Sequence, residues 1–183
     1  DSYSSALEVA VAGSFAKAVR VLIGYGANPK AIDTGSGRTL LHVAAGSHIE
    51  SEEVVRILLS HGVDPQAVDL QGRTPLVVAT MEGSRQVANL LSEQIEDFLL
   101  PELIALDMKR EVKKRLAEAP SLAATPDRYG RPPLHYCVLL GNMKLADLMI
   151  KNGAKLDAED AEGNTALHCA VERRSEEHTS ELQ

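Results

Sequence analysis

One tetrapeptide, Asp33-Thr-Gly-Ser36, has the composition of a catalytic site. It is the active-site sequence of aspartic proteases, in which two such Asp residues share one proton. Only one copy occurs in the chain, so catalysis would require a symmetric dimer. The protease motif also needs flanking β-strands, whereas Leu40-Leu-His-Val-Ala-Ala45 follows here in the register of a repeated sequence. The pattern favours a turn within that repeat, and an aspartic protease is the weaker alternative.

Three His and two Cys residues at related positions raise the question of a zinc site. No Cys-x-x-Cys pair accompanies them, and equivalent positions in successive repeats lie too far apart to share one ion. The two Cys residues are 32 positions apart (169 − 137), without a disulfide pattern, which fits a reducing compartment. The chain also lacks a Gly-x-x-x-x-Gly-Lys phosphate loop and a nucleophile elbow. We therefore expect no metal, no cofactor and no catalytic residue. The residues concerned are His42, His135, His168, Cys137 and Cys169.

The densest basic run is Lys109-Arg-Glu-Val-Lys-Lys-Arg115. On the helix that it predicts, Val112 and Leu116 share one face at i and i+4, and the charges point elsewhere. A solvated helix face is favoured, and a localisation signal or a site for an acidic partner is the alternative.

These candidate sites lie within a sequence that repeats. Asp69-Leu-Gln-Gly-Arg-Thr-Pro-Leu-Val-Val-Ala79 recurs in related form from residue 127 and again from residue 160. A second segment, Val54-Val-Arg-Ile-Leu-Leu-Ser-His-Gly-Val-Asp-Pro65, recurs from residue 19 and from residue 145. Thr39, Thr74 and Thr165 stand where helices should begin, because a Thr hydroxyl there caps free N–H groups. This self-similarity predicts stacked helical units rather than one globular core.

The two segments resemble the ankyrin repeat, whose pattern is a turn, Thr-Pro-Leu-His, a short helix, a second helix and Gly-Ala-Asp/Asn. The resemblance covers nearly all of residues 3–173 and implies an all-α solenoid of helix-turn-helix units with β-turn fingers. The predicted repeats, numbered 1 to 6, span 3–32, 33–68, 69–98, 99–126, 127–159 and 160–173, the fourth degenerate and the sixth truncated. In repeat 4 we expect helices at Leu103-Ile-Ala-Leu106 and from Val112 to Ala119. The chain starts and stops inside repeats and is expected to be a fragment.

Residues 174–183 break the repeat with polar residues and have no apolar periodicity. They resemble the translation of a sequencing-library adapter, so we expect a non-native tail that adds nothing to the fold. A natural polar helix end is the alternative.

Charge and hydropathy narrow the class of partner and the location. The net charge of −7 argues against nucleic acid or an anionic membrane as the main partner. No apolar run reaches membrane-spanning length, and the N-terminus has no signal-peptide shape. These features predict an intracellular protein, in the cytoplasm or nucleus, without membrane insertion and monomeric as a fragment.

The resemblance implies a non-enzymatic module that binds a partner protein or peptide on its concave surface, formed by turn tips and the ends of first helices. The alternative is a regulatory arm of a larger enzyme, a ubiquitin-ligase adaptor or a channel. Three arginines, Arg38, Arg73 and Arg131, would form a basic line, which favours an acidic or C-terminal-carboxylate peptide. The predicted partner-binding residues are Arg38, Leu70, Gln71, Arg73, Met81, Glu82, Arg128, Tyr129, Arg131, Leu139 and Leu140.

Overall fold

A computed structural model describes residues 5–47, 51–127 and 130–171 of the chain. By its internal contacts the chain divides into two compact units, Asp1–Asp97 and Phe98–Gln183, called unit 1 and unit 2 below. The predicted non-native tail lies outside the described residues. None of the described helices is both long enough and apolar enough to span a membrane.

Unit 1 consists of three helix pairs. Within each pair the helices pack on each other, the first helices pack side by side, and the second helices form a parallel layer behind them. Small Ala44 and Ala79, both fully buried, allow the first helices to approach closely. The helices are α1 (Ala6–Ala12), α2 (Ala16–Gly24), α3 (Leu40–Ala45), α4 (Glu52–Ser60), α5 (Pro75–Met81) and α6 (Arg85–Ser92).

Unit 2 contains two complete pairs, in which the helices of each pair pack on each other and the two first helices pack side by side. The core contains Leu103, Leu116, Tyr136 and Met149, none of which is more than 2% exposed. A short 3-10 turn, Pro120–Ala123, packs against the second helix of the first pair and the first helix of the second pair. The helices are α7 (Leu100–Ala105), α8 (Lys109–Glu118), α9 (Pro133–Leu139) and α10 (Met143–Lys151), followed by helical residues 166–171.

The first helix of the degenerate repeat 4 begins earlier than the sequence predicted. Helix α7 starts at Leu100 rather than at Leu103. The Leu99 N–H donates to Oε2 of Glu102 at 2.7 Å, which satisfies a free donor at the helix start without a Thr cap. Pro101 is tolerated there because the first-turn N–H groups have no partner within the helix.

The connections have the backbone geometry that their glycines predict. Gly37 and Gly72 in the turns have φ of 71° and 76°, and Gly62 and Gly153 after the second helices have φ of 70° and 98°. Such positive φ values favour glycine because it has no Cβ. Within the described ranges, β-type pairing is limited to two isolated bridges, Ile32 with Thr39 and Glu159 with Thr165.

Candidate partner-binding surface

The Asp33 carboxylate is held inside its own turn. Its Oδ1 accepts from the Gly35 N–H at 3.2 Å, and its Oδ2 accepts from the N–H and hydroxyl of Ser36 at 3.0 and 2.5 Å. The hydrogen bond from the Ser36 hydroxyl, followed by that from Gly35, lowers the pKa of Asp33 below its usual 3.8. An aspartic-protease Asp must instead share a proton. Because the next residues form helix α3 and not a strand, the structure supports the turn interpretation.

The turn of repeat 3 forms a closed ion pair. Oδ1 of Asp69 accepts from the N–H groups of Gln71 and Arg73, both at 2.9 Å. Its Oδ2 accepts from Nε and Nη2 of Arg73 at 2.9 and 2.8 Å. Asp69 is 1% exposed, so this two-pronged pair closes the turn from within.

The turn of repeat 5 uses the same residue types with different partners. Oδ1 of Asp127 accepts from the Arg131 N–H at 3.0 Å, but its Oδ2 accepts from the Tyr136 hydroxyl at 2.7 Å. The Arg131 guanidinium lies 5.9 Å from the centre of the Tyr136 ring and reaches Oδ2 of Asp160 at 3.4 Å. Repeat 5 is thereby linked to the turn of repeat 6.

Asp160 stays ionised in spite of its burial. Burial raises the pKa of this carboxyl, but the N–H of Asn164, the charge of Arg131 and the N–H of Glu162 outweigh burial and bring the pKa below 3.8. The Asn164 and Glu162 N–H groups donate to Oδ1 at 2.8 and 3.1 Å. The charged form is therefore the one that holds the turn.

The arginine of repeat 2 is not tied to its turn aspartate. Nη2 of Arg38 donates to the carbonyl of His42 at 3.4 Å, which is a long hydrogen bond. Its N–H donates to the Ser36 hydroxyl oxygen at 3.3 Å and not to Asp33. Its Nε is buried without a hydrogen-bond partner among the described residues. Arg38 therefore carries a charge that its own turn leaves unpaired.

The histidines at the start of the first helices act as structural links. The Thr39 N–H donates to Nδ1 of His42 at 3.1 Å, which leaves Nε2 to donate to the Arg73 carbonyl at 2.9 Å. Burial lowers the pKa of His42, in keeping with a neutral ring. His135 makes the equivalent link to the Asn164 carbonyl at 2.8 Å.

Neither the histidines nor the cysteines are arranged as metal ligands in the part of the chain that the structure describes. No group of three His, Cys, Asp or Glu side chains there could hold an ion. Cys137 is buried, and burial raises the pKa of its thiol to about 12, so it stays protonated at neutral pH. Cys137 and Cys169 are both buried and do not form a disulfide with each other.

The basic run forms helix α8, as its pattern predicts. Val112 and Leu116 are buried, at 0% and 2% exposure. Lys114 and Arg115 lie 3.9 Å from Oε1 of Glu111, which makes weak surface pairs. This geometry fits the solvated helix face that the sequence favoured.

The structure separates the predicted partner-binding residues into distinct environments. In unit 1, Leu70, Gln71 and Glu82 are exposed, and Arg38, Arg73 and Met81 are half-buried. In unit 2, Leu139 and Leu140 are half-buried and Arg131 is buried at 9% exposure. Arg128 and Tyr129 lie outside the described residues.

Two of the three arginines in the predicted basic line, Arg73 and Arg131, pair with aspartates in the structure. Arg73 pairs with Asp69, and Arg131 pairs with Asp160. These pairs form because burying an unpaired guanidinium charge costs free energy. We therefore assign Arg73 to closing its own turn and Arg131 to linking the turns of repeats 5 and 6.

Sequence reasoning missed the special position of Arg38, although a signal was present. Asp69 and Arg73 are four positions apart, as are Asp127 and Arg131, whereas Asp33 and Arg38 are five apart. The extra residue in the turn of repeat 2 is what separates the aspartate from the arginine.

Comparisons with known proteins agree with the repeat architecture. A family model described as "Ankyrin repeats (3 copies)" matches residues 7–100 and 104–182. The chain is 35% identical over 65 residues to inversin of Danio rerio, covering 36% of this chain and 6% of inversin. It is 40% identical over 48 residues to phosphocholine transferase AnkX of Legionella pneumophila, covering 26% of this chain and 5% of AnkX. It is 46% identical over 46 residues to the 85/88 kDa calcium-independent phospholipase A2 of Rattus norvegicus, covering 25% of this chain and 5% of the phospholipase.

The chain thus matches only a small part of each relative, two of which are enzymes by name. The family match extends past residue 173, and the prediction of a non-native tail stays a prediction. Repeats of this kind are protein-interaction modules built as an all-α solenoid. Because the matched ranges cover most of its length, the chain belongs to the ankyrin-repeat family.

Proposed function

We propose that this chain is a non-enzymatic module that binds a partner protein or peptide on the concave surface made by its turn tips and first-helix ends. In unit 1 the proposed contacts are Arg38, Leu70, Gln71, Met81 and Glu82. In unit 2 they are Leu139 and Leu140, together with Arg128 and Tyr129, which lie outside the described residues.

The observation that carries this proposal is an apolar side chain displayed on a rigid turn. Leu70 stands at the tip of the turn of repeat 3 and is 51% exposed. Its N–H donates to the Ser36 carbonyl at 2.9 Å, which joins two neighbouring turns. A Cβ at Gly37 would lie 2.9 Å from the Leu70 nitrogen, so only glycine permits this close approach. A preorganised apolar contact of this kind binds without a large ordering cost.

The experiment that tests the proposal starts from peptides selected on the chain itself. A displayed library of random 12-residue peptides is enriched against the purified protein, and the tightest peptide is synthesised with a fluorophore. Its dissociation constant is measured by anisotropy for the wild type and for Leu70→Ala and Met81→Ala. We expect each variant to weaken binding about fivefold or more, which is the effect of an anchor residue worth about 1 kcal/mol.

Val21 supplies a matched control, because it is an apolar residue that is 55% exposed on the second helix α2. Val21→Ala should bind like wild type. If Val21→Ala loses binding while the Leu70 and Met81 variants keep it, partners bind the second-helix side and the concave assignment fails. Circular dichroism confirms that all three variants keep their helices.

The relatives favour a second candidate function for the protein to which this chain belongs. Two of them are named as a phosphocholine transferase and a phospholipase, and the match covers about one twentieth of each. The chain would then be the partner-binding region of a longer enzyme. Sequencing the complete transcript tests this candidate, since a catalytic domain in the same reading frame would support it and a chain of repeats alone would reject it.

A further inference from the structure

We propose that Arg38 anchors a carboxylate of the bound partner, so that the module selects acidic peptides. This inference rests on the proposed function, and it concerns the chemistry of the ligand.

The turn of repeat 2 directs its aspartate away from its arginine. In repeat 3, Oδ2 of Asp69 is filled by two donors of the Arg73 guanidinium. In the longer turn of repeat 2, Oδ2 of Asp33 is filled by the N–H and hydroxyl of Ser36. In this longer turn Ser36 thus supplies the aspartate with a local donor and leaves the guanidinium of Arg38 to other partners.

The released guanidinium lies at the end of helix α3. A Cβ at Gly46 would stand 3.2 Å from Nη2 of Arg38 and 3.5 Å from Cγ1 of Val78. The glycine therefore leaves room for the guanidinium beside the first helix of the next repeat. This end of α3 belongs to the concave surface on which the proposed function places the partner.

Charge pairing distinguishes Arg38 from the other turn arginines. Arg73 and Arg131 each have a carboxylate within hydrogen-bond distance, at 2.8 and 3.4 Å. Across residues 5–47, 51–127 and 130–171, Arg38 has no ion pair, and its guanidinium makes the single bond to His42. A partly buried arginine gains most from a carboxylate, because charge-assisted bonds strengthen where water is excluded.

The side chains near Arg38 limit which other residues the bound peptide can have. Glu82 is exposed at the end of α5, one turn beyond Val78 on the same helix. Its negative charge disfavours a ligand with several acidic residues in a row. We therefore expect one carboxylate at Arg38, with apolar residues beside it for Leu70 and Met81.

The test uses peptides selected from the library that lose affinity with Leu70→Ala, so that concave binding is established first. Each peptide is made in its parent form, with each Asp or Glu changed to Asn or Gln, and with an amidated C-terminus. These forms separate a side-chain carboxylate from the terminal one. We expect that one of these peptide changes weakens binding to the wild-type protein about tenfold. The same change should have no effect on binding to the Arg38→Gln variant.

Two protein variants sharpen the result. Arg56→Gln removes an exposed arginine of α4 on the second-helix side of the same unit and should leave affinity unchanged. Deletion of Gly35 restores the four-position spacing between Asp33 and Arg38 without altering net charge. We expect it to draw the guanidinium back to Asp33 and to weaken the parent peptide as Arg38→Gln does. Should the deletion unfold the repeat, the Arg38→Gln measurements decide alone.

The outcomes separate the two proposals. The carboxylate anchor is wrong if the concave-binding peptides contain no Asp or Glu and bind equally well with an amidated C-terminus. It is also wrong if Arg38→Gln weakens peptide binding no more than Arg56→Gln does. In both cases the proposed concave binding surface is still supported. If no selected peptide responds to Leu70→Ala, the proposed function itself fails.

Discussion

The turns of repeats 3 and 5 have the same spacing of aspartate, glycine and arginine but different hydrogen bonds. Asp69 and Arg73 bind each other within one turn. Asp127 binds Tyr136, and Arg131 turns instead to the next repeat. Tyr136 replaces the Val78 of repeat 3, nine residues after each aspartate. One side chain on the first helix therefore decides whether the arginine closes its own turn or links two repeats.

The difference has a simple geometric origin. The Tyr136 hydroxyl lies 2.7 Å from Oδ2 of Asp127, the oxygen that in repeat 3 accepts both guanidinium donors. The guanidinium of Arg131 lies above the Tyr136 ring instead and makes one longer hydrogen bond to Asp160. A two-pronged pair is stronger than a single long contact. The turn of repeat 3 should therefore depend on its aspartate more than the turn of repeat 5 does.

The largest expected effect comes from removing that aspartate charge. Asp69→Asn leaves the Arg73 charge without its partner, and we expect a loss of about 3 kcal/mol in unfolding free energy. Asp127→Asn keeps one oxygen for the Arg131 N–H, and its NH2 group can donate to the Tyr136 hydroxyl, so this change should cost about 1 kcal/mol. Urea unfolding read by hydrogen exchange in α5 and α9 measures each effect in its own unit. Equal losses would show that the two turns close with equal strength.

The sequence predicted the frame of these turns but not their hydrogen bonds. The glycines with positive φ, such as Gly72, and the Thr74 cap follow from local chemistry that a repeat pattern displays. The partner of Arg131 depends on Tyr136, which lies on a helix, and on Asp160 in another repeat. Such contacts between distant residues are tertiary, and identical turn spacing cannot distinguish them. The unpaired charge of Arg38 was missed for a different reason, since it depends on a single extra residue between Asp33 and Arg38.

A second prediction tests the link from repeat 5 to repeat 6 through pH. The pKa of Asp160 in the folded chain lies below 3.8, so its charge stabilises the fold above that pH. This contribution disappears as the pH falls through the folded pKa. The stability difference between wild type and Asp160→Asn should be largest at pH 6 and shrink towards zero below about pH 4. Urea titrations at steps from pH 6 to pH 3 measure this difference.

Asp147 is the matched control for that titration. It pairs with Lys151 at the surface, where its side chain is 61% exposed. Asp147→Asn should change stability by well under 1 kcal/mol at every pH. If the Asp160→Asn difference does not vary with pH, the Arg131 link does not require the charged carboxylate.

The smallest expected effect concerns the residue that begins helix α9. In repeat 2, the N–H and hydroxyl of Thr39 lie 3.1 and 2.9 Å from Nδ1 of His42. Repeat 5 has Pro132 at this position, which offers neither donor, and Nδ1 of His135 is buried without a hydrogen-bond partner in the described chain. Repeat 3 avoids the problem by having Val77 in place of the histidine. Repeat 5 thus keeps the histidine but lacks the threonine N–H and hydroxyl that would donate to its Nδ1.

Pro132→Thr should therefore stabilise unit 2. Satisfying a buried acceptor is worth about 1–3 kcal/mol, and losing the proline's restriction of the unfolded chain costs about 0.4–1 kcal/mol. We expect a net gain of about 1 kcal/mol, measured by urea unfolding with hydrogen exchange read in α9. Pro132→Ala restores the N–H without the hydroxyl and should recover only part of the gain. A Thr variant no more stable than the Ala variant would show that the N–H alone satisfies His135, and a loss in both would show that the unfolded-state effect of proline is larger than the hydrogen bonds.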